Sequence, residues 1–286
     1  MFKTVALNGE KQSNMRECVI LLGGFDGLHV GHRQLLARAK EYALPVGVMT
    51  IVGGKVGSLF TAKERERIFA EAGVDFTFEL PFEEIKGLSP EQFIRLIEEQ
   101  FSPTAFICGE DFRFGYQAAG TPATLKMLSR ARVEVLPLLK TGGEKVSSTT
   151  VKNSIAKGDV SAAGELLGEP FFLTASVISG RQVGRELGFP TANMIYPKDK
   201  FPLALGVYET RVNVDGIEYK AITNFGAKPT FSDGQVCVES YLDGFSGDLY
   251  GRELTVRFLR KIRDVKKFQS VEALKSQLQA DLKGIR

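Results

Sequence analysis

Gly23-Gly24-Phe25-Asp26-Gly27-Leu28-His29-Val30-Gly31-His32 follows an apolar run, Cys18–Leu22, and leads into an amphipathic one, Gly31–Tyr42. The first run reads as a buried strand. The second reads as a helix with Leu35, Leu36 and Ala39 on one face. The decapeptide is therefore a strand-to-helix turn. Its two leading glycines let a ligand approach the backbone without side-chain obstruction. The helix is expected to open at the second histidine, where unpaired N–H groups and the helix dipole offer a site for phosphate. His29 and His32 are the only histidines in the chain. Imidazoles held there can donate hydrogen bonds to a phosphoryl group as its charge redistributes. The plainer alternative is a pair of helix-start histidines satisfied locally, and metal binding lacks a third ligand at sensible spacing.

Working outward, the first 168 residues repeat this strand-then-helix rhythm. Val46–Ile51, Val74–Glu79, Ala105–Cys108 and Val133–Leu136 read as further strands, and Ala62–Ala72 and Pro122–Arg130 as helices. Ser89-Pro90-Glu91-Gln92 is a helix start with Ser89 as N-cap, Pro90 in the first position and Gln92 completing a capping box. That helix runs to about Gln100. The rhythm implies a doubly wound parallel sheet covered on both faces, which binds ligands beyond the carboxyl ends of its strands.

Two short helices, Thr149–Ala156 and Val160–Leu167, come next, and then the character changes. Leu173–Ser179, Gly206–Val214, Ile217–Phe225, Val236–Leu242 and Leu254–Leu259 alternate as strands do, and Asp215-Gly216 is a tight hairpin signal. An amphipathic helix, Ser270–Leu282, closes the chain, with Ser270 as its cap. Many strands and one terminal helix predict a small antiparallel barrel with a helix packed on it. The boundary is expected near Gly168–Pro170, giving domains 1–168 and 169–286.

Bulk properties narrow the function. The chain has 286 residues, 43% of them hydrophobic and 25% charged, enough for two cores of ordinary size. No apolar run reaches bilayer-spanning length, and the N-terminus lacks a signal-peptide pattern, so a cytoplasmic protein is expected. The net charge of +3 is spread without a basic stripe. That pattern excludes a nucleic-acid surface and leaves room for a small anionic ligand. Cys18, Cys108 and Cys237 each sit in a strand-like run and read as buried core residues rather than disulfide or zinc partners. No apolar stripe is left over for an interface, so a monomer is favoured.

Four other stretches carry chemistry-bearing residues. Gly109-Glu110-Asp111-Phe112-Arg113-Phe114-Gly115 is a strand exit bearing carboxylates and an arginine, suited to reading a nucleotide or flavin, or else an ordinary loop. Ser147-Ser148-Thr149 places three hydroxyls at a helix N-terminus, for capping or for phosphate contact. Gly180-Arg181-Gln182-Val183-Gly184-Arg185 combines glycines with two arginines that can reach phosphates. Just after it, Pro190-Thr191-Ala192-Asn193 offers two neutral oxygens two residues apart. In an extended segment both point the same way, which suits Mg²⁺ retaining waters and nucleotide phosphates, although in isolation a turn held by Thr and Asn side chains is the plainer reading.

Taken in order, these motifs resemble bacterial bifunctional riboflavin kinase/FAD synthetase along essentially the whole chain. The decapeptide is similar to the signature of the nucleotidyltransferase superfamily with a His-x-Gly-His motif. Pro190–Asn193 resembles the Pro-Thr-Ala-Asn motif of riboflavin kinases, and Gly206-Val207-Tyr208, Asn224-Phe225-Gly226, Pro229-Thr230-Phe231, Val238-Glu239-Ser240, Leu249-Tyr250-Gly251 and Arg263 through Lys267-Phe268 agree with it. The resemblance implies FMN synthesis from riboflavin and ATP in the barrel, then FAD synthesis from FMN and a second ATP in the α/β domain. It implies catalytic roles for His29, His32 and Glu239 and a Mg²⁺ held by Thr191 and Asn193. Nucleotide contacts would come from Gly23, Gly24, Phe25, Asp26, Gly31, Ser147, Ser148, Thr149, Gly180, Arg181 and Arg185. Flavin contacts would come from Asp111, Arg113, Phe114 and Arg263. On alternation alone, Glu239 could equally be a solvent-facing strand residue, since Val236, Val238 and Leu242 lie on the other face.

The chain departs from the family pattern mainly in its first half. Ile51-Val52-Gly53-Gly54-Lys55 stands where an aromatic residue and a His-Pro pair are usual, and Lys152 where an arginine is common. Lysine keeps the charge but loses the bidentate fork. Two rivals follow: a relative with one activity only, the kinase, and a non-catalytic flavin-binding regulator.

Overall fold

The computed structural model describes residues 2–6, 17–53, 57–179, 189–227 and 236–285. The chain divides into two compact units, Met1–Ser148 and Thr149–Arg286.

The first unit is built on β1 (Lys3–Ala6), β2 (Val19–Leu22), β3 (Val46–Val52), β4 (Phe76–Pro81), β5 (Ala105–Gly109) and β6 (Arg132–Leu136). They form one parallel sheet in the order β1-β4-β3-β2-β5-β6. Every residue of β2 is buried, as expected of a central parallel strand covered on both faces. The helices are α1 (Val30–Lys40), α2 (Ala62–Glu71), the one-turn α3 (Phe82–Ile85), α4 (Pro90–Phe101) and α5 (Pro122–Leu128). Reciprocal capping boxes start α2 at Thr61 and Glu64, and α4 at Ser89 and Gln92. A two-stranded hairpin, β7 (Lys140–Thr141) and β8 (Glu144–Lys145), closes the unit.

The sheet's winding reverses at β2: β3 and β4 lie to one side of it, β5 and β6 to the other. Such a switch point opens a crevice beyond the carboxyl ends of the two strands that flank it, here β2 and β5. The decapeptide leaves β2 and the Gly109–Gly115 stretch leaves β5, so both converge on that crevice. The pairing of Leu22 with Cys108 sets them side by side.

The second unit begins with α6 (Ser148–Lys157) and α7 (Val160–Leu167), the latter packed on the barrel strand β14. An antiparallel sheet follows in the order β10-β13-β12-β11-β14-β9. Its strands are β9 (Phe172–Ser176), β10 (Thr191–Ile195), β11 (Gly206–Val214), β12 (Ile217–Ala227), β13 (Val236–Leu242) and β14 (Glu253–Arg263). An isolated bridge between Ile178 and Asn193 nearly closes it into a barrel. Asp215 and Gly216 turn the β11–β12 hairpin with φ of 54° and 84°, the left-handed pair that such a two-residue loop requires. The terminal helix α8 (Val271–Gly284) is capped by Ser270 and packs near β12.

Several details differ from expectation. Helix α1 begins at Val30, with His29 rather than His32 at its mouth, because the His29 side chain itself caps the helix. Strands β1 and β10 were not expected. β1 is four residues of mixed polarity, and β10 follows Pro190 with an alternation too short to stand out. The three cysteines are free and buried, as expected.

Candidate functional site

The histidine pair is built by the helix cap. His29 Nδ1 accepts the His32 backbone N–H at 3.1 Å, which fills one of the open donors of the first turn. His32 Nδ1 lies 2.8 Å from the Gly27 carbonyl, which can only accept, so Nδ1 carries the proton. The neutral rings therefore hold opposite tautomers: His29 presents Nε2–H as a donor, and His32 presents a bare Nε2. The rings stack at 3.6 Å between centroids, and Phe25 stacks on the far side of His32 at 4.1 Å. Burial pulls the His29 pKa down to about 4, against smaller opposing effects of a backbone hydrogen bond and the Asp111 charge. Burial also holds His32 well below its ordinary value, helped by the proximity of His29. Both rings are neutral at pH 7.

The loop serves this stack more than it stands free for a ligand. Phe25 is fully buried and sits at φ 36°. A Cβ at Gly23 would meet the Phe25 ring at 2.9 Å, and one at Gly31 would meet the His29 ring at 3.2 Å. Gly24 has open space around it. Asp26 Oδ1 accepts the Leu59 N–H at 2.9 Å and ties the loop to the segment before α2.

From the β5 side, Asp111 pairs with Lys145 of β8, and both charges act on His29. Arg113 is exposed and its Nη1 donates to the Phe112 carbonyl at 2.8 Å. Phe114 packs in the core between Phe93 and Phe112, at 5.2 and 5.3 Å. Val146 N–H donates to the Leu139 carbonyl at 2.9 Å, and Leu139 lies 4.0 Å from where a Gly31 Cβ would stand. Ser147 and Ser148, half-buried, thus follow a chain segment rooted beside the start of α1, with Thr149 exposed after them. Lys145 had no local signal in the sequence; only the hairpin brings it to Asp111.

The second cluster is assembled by strand register. Asn193 pairs with Glu239 across β10–β13, and Glu239 pairs with Asn224 across β13–β12. Residues directly opposite in an antiparallel ladder share a face. Val238, Ser240 and Leu242 are buried on the other, inward face, so Glu239 belongs with the two asparagines. Thr191 Oγ1 donates to Glu239 Oε1 at 2.7 Å. Beside them is a cleft of about 520 Å³ that includes Thr191, Asn193, Phe245, Ser246, Asp248 and Tyr250 in its walls. Further along the same row, through Val207 of β11, stands Arg263 of β14. Its guanidinium donates to both oxygens of the buried Asp281 on α8, at 2.8 to 3.2 Å. Gly180, Arg181 and Arg185 lie outside the described residues, as do Gly54, Lys55 and Pro229 through Phe231.

Comparison with known proteins now separates the possibilities. A family model for riboflavin kinase matches residues 167–286, and one for FAD synthetase matches residues 11–150. The bifunctional riboflavin kinase/FMN adenylyltransferase of Pseudomonas fluorescens is 35% identical, over 95% of this chain and 93% of its own. This chain belongs to the bifunctional riboflavin kinase/FMN adenylyltransferase family. Family members from Escherichia coli K12 and Bacillus subtilis 168 are 33% and 30% identical over 94% and 92% of this chain, and over 92% and 90% of their own. A crystal structure of a macrolide-efflux protein from Streptococcus pneumoniae superposes with a TM-score of 0.88 at 30% identity, covering 98% of this chain and 97% of that one. Efflux is the name of that protein. Among the described residues here, no helix is long and apolar enough to cross a membrane.

Proposed function

We propose that this chain phosphorylates riboflavin to FMN in its second unit and adenylylates FMN to FAD in its first, with the two activities dividing near residue 168. The observation that carries the kinase half is the contact between Thr191 and Glu239. It joins the residues expected to hold a metal to the residue expected to act as base. Glu239 takes the proton of the terminal ribityl alcohol as that oxygen attacks the γ-phosphorus of ATP and ADP leaves.

Thr191 and Asn193 would hold Mg²⁺. The donor set fits. The Thr191 hydroxyl spends its proton on Glu239, so its lone pairs can face a cation, and the Asn193 carboxamide supplies a second neutral oxygen. Two such ligands suit an ion that keeps waters and substrate phosphates rather than one caged by protein. When bound, Mg²⁺ neutralises charge on the phosphates.

In the first unit an FMN phosphate oxygen attacks the α-phosphorus of ATP, and pyrophosphate leaves. No covalent enzyme intermediate is needed, so positioning and charge stabilisation are the protein's task. The His29 Nε2–H donates to a phosphoryl oxygen as it stands. His32 must gain a proton at Nε2 to do the same, and a bound triphosphate raises its pKa toward that state. Gly23, Gly24, Phe25, Asp26 and Gly31 shape the nucleotide loop. Ser147, Ser148 and Thr149 contribute hydroxyls to phosphate, and Arg181 and Arg185 meet the kinase's ATP beside Gly180. Asp111 and Arg113 meet flavin at the β5 exit. Phe114 supports that exit from the core, and Arg263 acts with Asp281 at the flavin end of the barrel site. The chain acts as a cytoplasmic monomer on small molecules, without nucleic acid or membrane.

The test is chromatography of flavins after incubation with ATP and Mg²⁺, with riboflavin in one tube and FMN in the other. FMN then FAD in the first, and FAD in the second, is the expected result. FMN alone from riboflavin, with FMN untouched, would leave only the kinase. No product in either tube would sink the reading.

A further inference from the structure

The polar residues of the barrel fall into two groups. On the inward face Thr210, Thr223 and Ser240 are fully buried and form a hydroxyl chain, 2.7 Å from Thr210 to Thr223 and 2.8 Å from Thr223 to Ser240. Each is satisfied, as buried polar groups must be. Asn224, next to Thr223 in sequence, points to the outer face. It is half-buried, and its carboxamide makes no hydrogen bond among the described residues. Asparagine is a poor strand former, and this one sits well inside the eleven-residue strand β12. Its position therefore calls for a reason that the barrel itself does not supply.

The row to which it belongs supplies one. Reading across the strands, Asn193, Glu239, Asn224, Val207 and Arg263 are successive neighbours. Neighbouring strands lie about 5 Å apart, so Asn224 stands about 5 Å from Glu239 on the side away from Asn193. The phosphate donor's metal ligands are on the β10 side of the base. The acceptor must therefore come from the β12 side if it is to meet the γ-phosphorus with Glu239 between. An alcohol whose terminal hydroxyl rests on Glu239 continues over Asn224. Its aromatic end then extends toward the Arg263–Asp281 pair and the Phe268 ring, which lies 5.8 Å from the Arg263 guanidinium.

We propose that Asn224 is a positioning residue of the kinase site, whose carboxamide hydrogen-bonds a secondary hydroxyl of the ribityl chain and so sets the terminal hydroxyl on Glu239. The inference rests on the kinase reading above. A carboxamide suits the task because it can both donate to and accept from a hydroxyl, and it adds no charge beside the base.

The test is steady-state FMN formation by the full chain with Asn224→Ala, alongside Glu239→Gln. One neutral hydrogen bond is at stake, so the riboflavin KM should rise about five- to tenfold with the KM for ATP unchanged. Affinity for lumiflavin, which has the flavin ring but no ribityl chain, should stay at the parent value. A complementary measurement needs no variant. Of 3′-deoxy- and 4′-deoxyriboflavin, one should lose the same factor on the parent chain and lose nothing further on Asn224→Ala. A riboflavin KM within twofold of parent overturns the proposal. So does a fall in lumiflavin affinity that matches the loss for riboflavin, since Asn224 would then be structural. If Glu239→Gln still makes FMN at the parent rate, the kinase reading itself fails. If Glu239→Gln stops FMN formation and Asn224→Ala changes nothing, only the inference about Asn224 falls.

Discussion

In the first unit the side chains proposed to act on phosphate, His29 and His32, lie three residues apart on one helical turn, and each holds the other by a cap bond and ring stacking. In the second, Asn193, Glu239 and Asn224 come from three strands and meet only because β10, β13 and β12 share one register. The first arrangement is local, buried and fixed before any ligand arrives. The second is distributed, with Asn193 buried and Glu239 and Asn224 half-buried, and is as good as the ladder beneath it. Damage to the first site should therefore stay within the first turn of α1 and the loop before it, whereas damage to the second can arrive from anywhere in the barrel.

The largest effect expected is on the base. Glu239→Gln keeps the shape and the ladder but removes the proton acceptor, so riboflavin phosphorylation should fall by about 10²- to 10⁴-fold in steady-state assays. FMN adenylylation by the same preparation should stay at the parent rate. In the other direction, a His29→Ala, His32→Ala double variant should lose about 10²- to 10³-fold in FAD formation from FMN and keep FMN formation. Retention of FAD synthesis at near the parent rate would mean that the stack is only a helix cap.

The barrel's dependence on distant pieces can be measured at Asp281. Its side chain is 3% exposed and its partner Arg263 13%, so removal of one charge strands the other. Asp281→Ala should cost about 3 kcal/mol, read as a lower unfolding midpoint of the second unit. Kinase activity should fall at temperatures where the adenylyltransferase is untouched.

These contrasts track how much could be read beforehand. The decapeptide was legible because its chemistry is contiguous: glycines, histidines, strand exit and helix start occur within ten residues. That a ligand site lies beyond the carboxyl ends of the strands was legible too, since the strand–helix rhythm implies a parallel sheet, but the strand order that puts the switch point between β2 and β5 was not. What escaped was the work those residues do for one another. Gly31 reads as a phosphate contact in sequence, yet in the structure it makes room for the His29 ring. Asp26 reads as a nucleotide contact, yet it anchors Leu59. In the barrel, alternation could not say on which side of the sheet Glu239 faces. Register decides it, and register depends on hairpins and bulges spread over seventy or so residues. Lys145 and Asp281 escaped for the same reason, because each meets its partner only after folding.

Acid offers a sharper probe of the preformed stack. Both histidines titrate at about 6.5 when unfolded, while folded His29 stays neutral down to about pH 4. Between those values the unfolded chain binds more protons than the folded one, so stability falls as pH drops through that window. His29 alone accounts for up to about 3 kcal/mol by pH 4, and His32 acts in the same direction. Unfolding midpoints of the first unit taken from pH 7 to 4 should fall more steeply in the parent than in a His29→Gln, His32→Gln variant. Equal slopes would mean that the rings are not buried as described.

The smallest effect is the most discriminating between a preformed site and an adaptable one. Gly31 lies within α1, where alanine is favoured over glycine by about 0.5–1 kcal/mol, so Gly31→Ala should leave stability unchanged or slightly raised. Its new methyl would stand 3.2 Å from the His29 ring, which is stacked on His32 at 3.6 Å. The ring must therefore turn a few tenths of an ångström away from its donor direction. FAD formation should fall about threefold to tenfold at an unchanged melting temperature, since small misplacements of a donor cost rate rather than stability. Full activity in Gly31→Ala would show that the histidines find their geometry only when substrate binds, and the contrast between a fixed site and an assembled one would go with it.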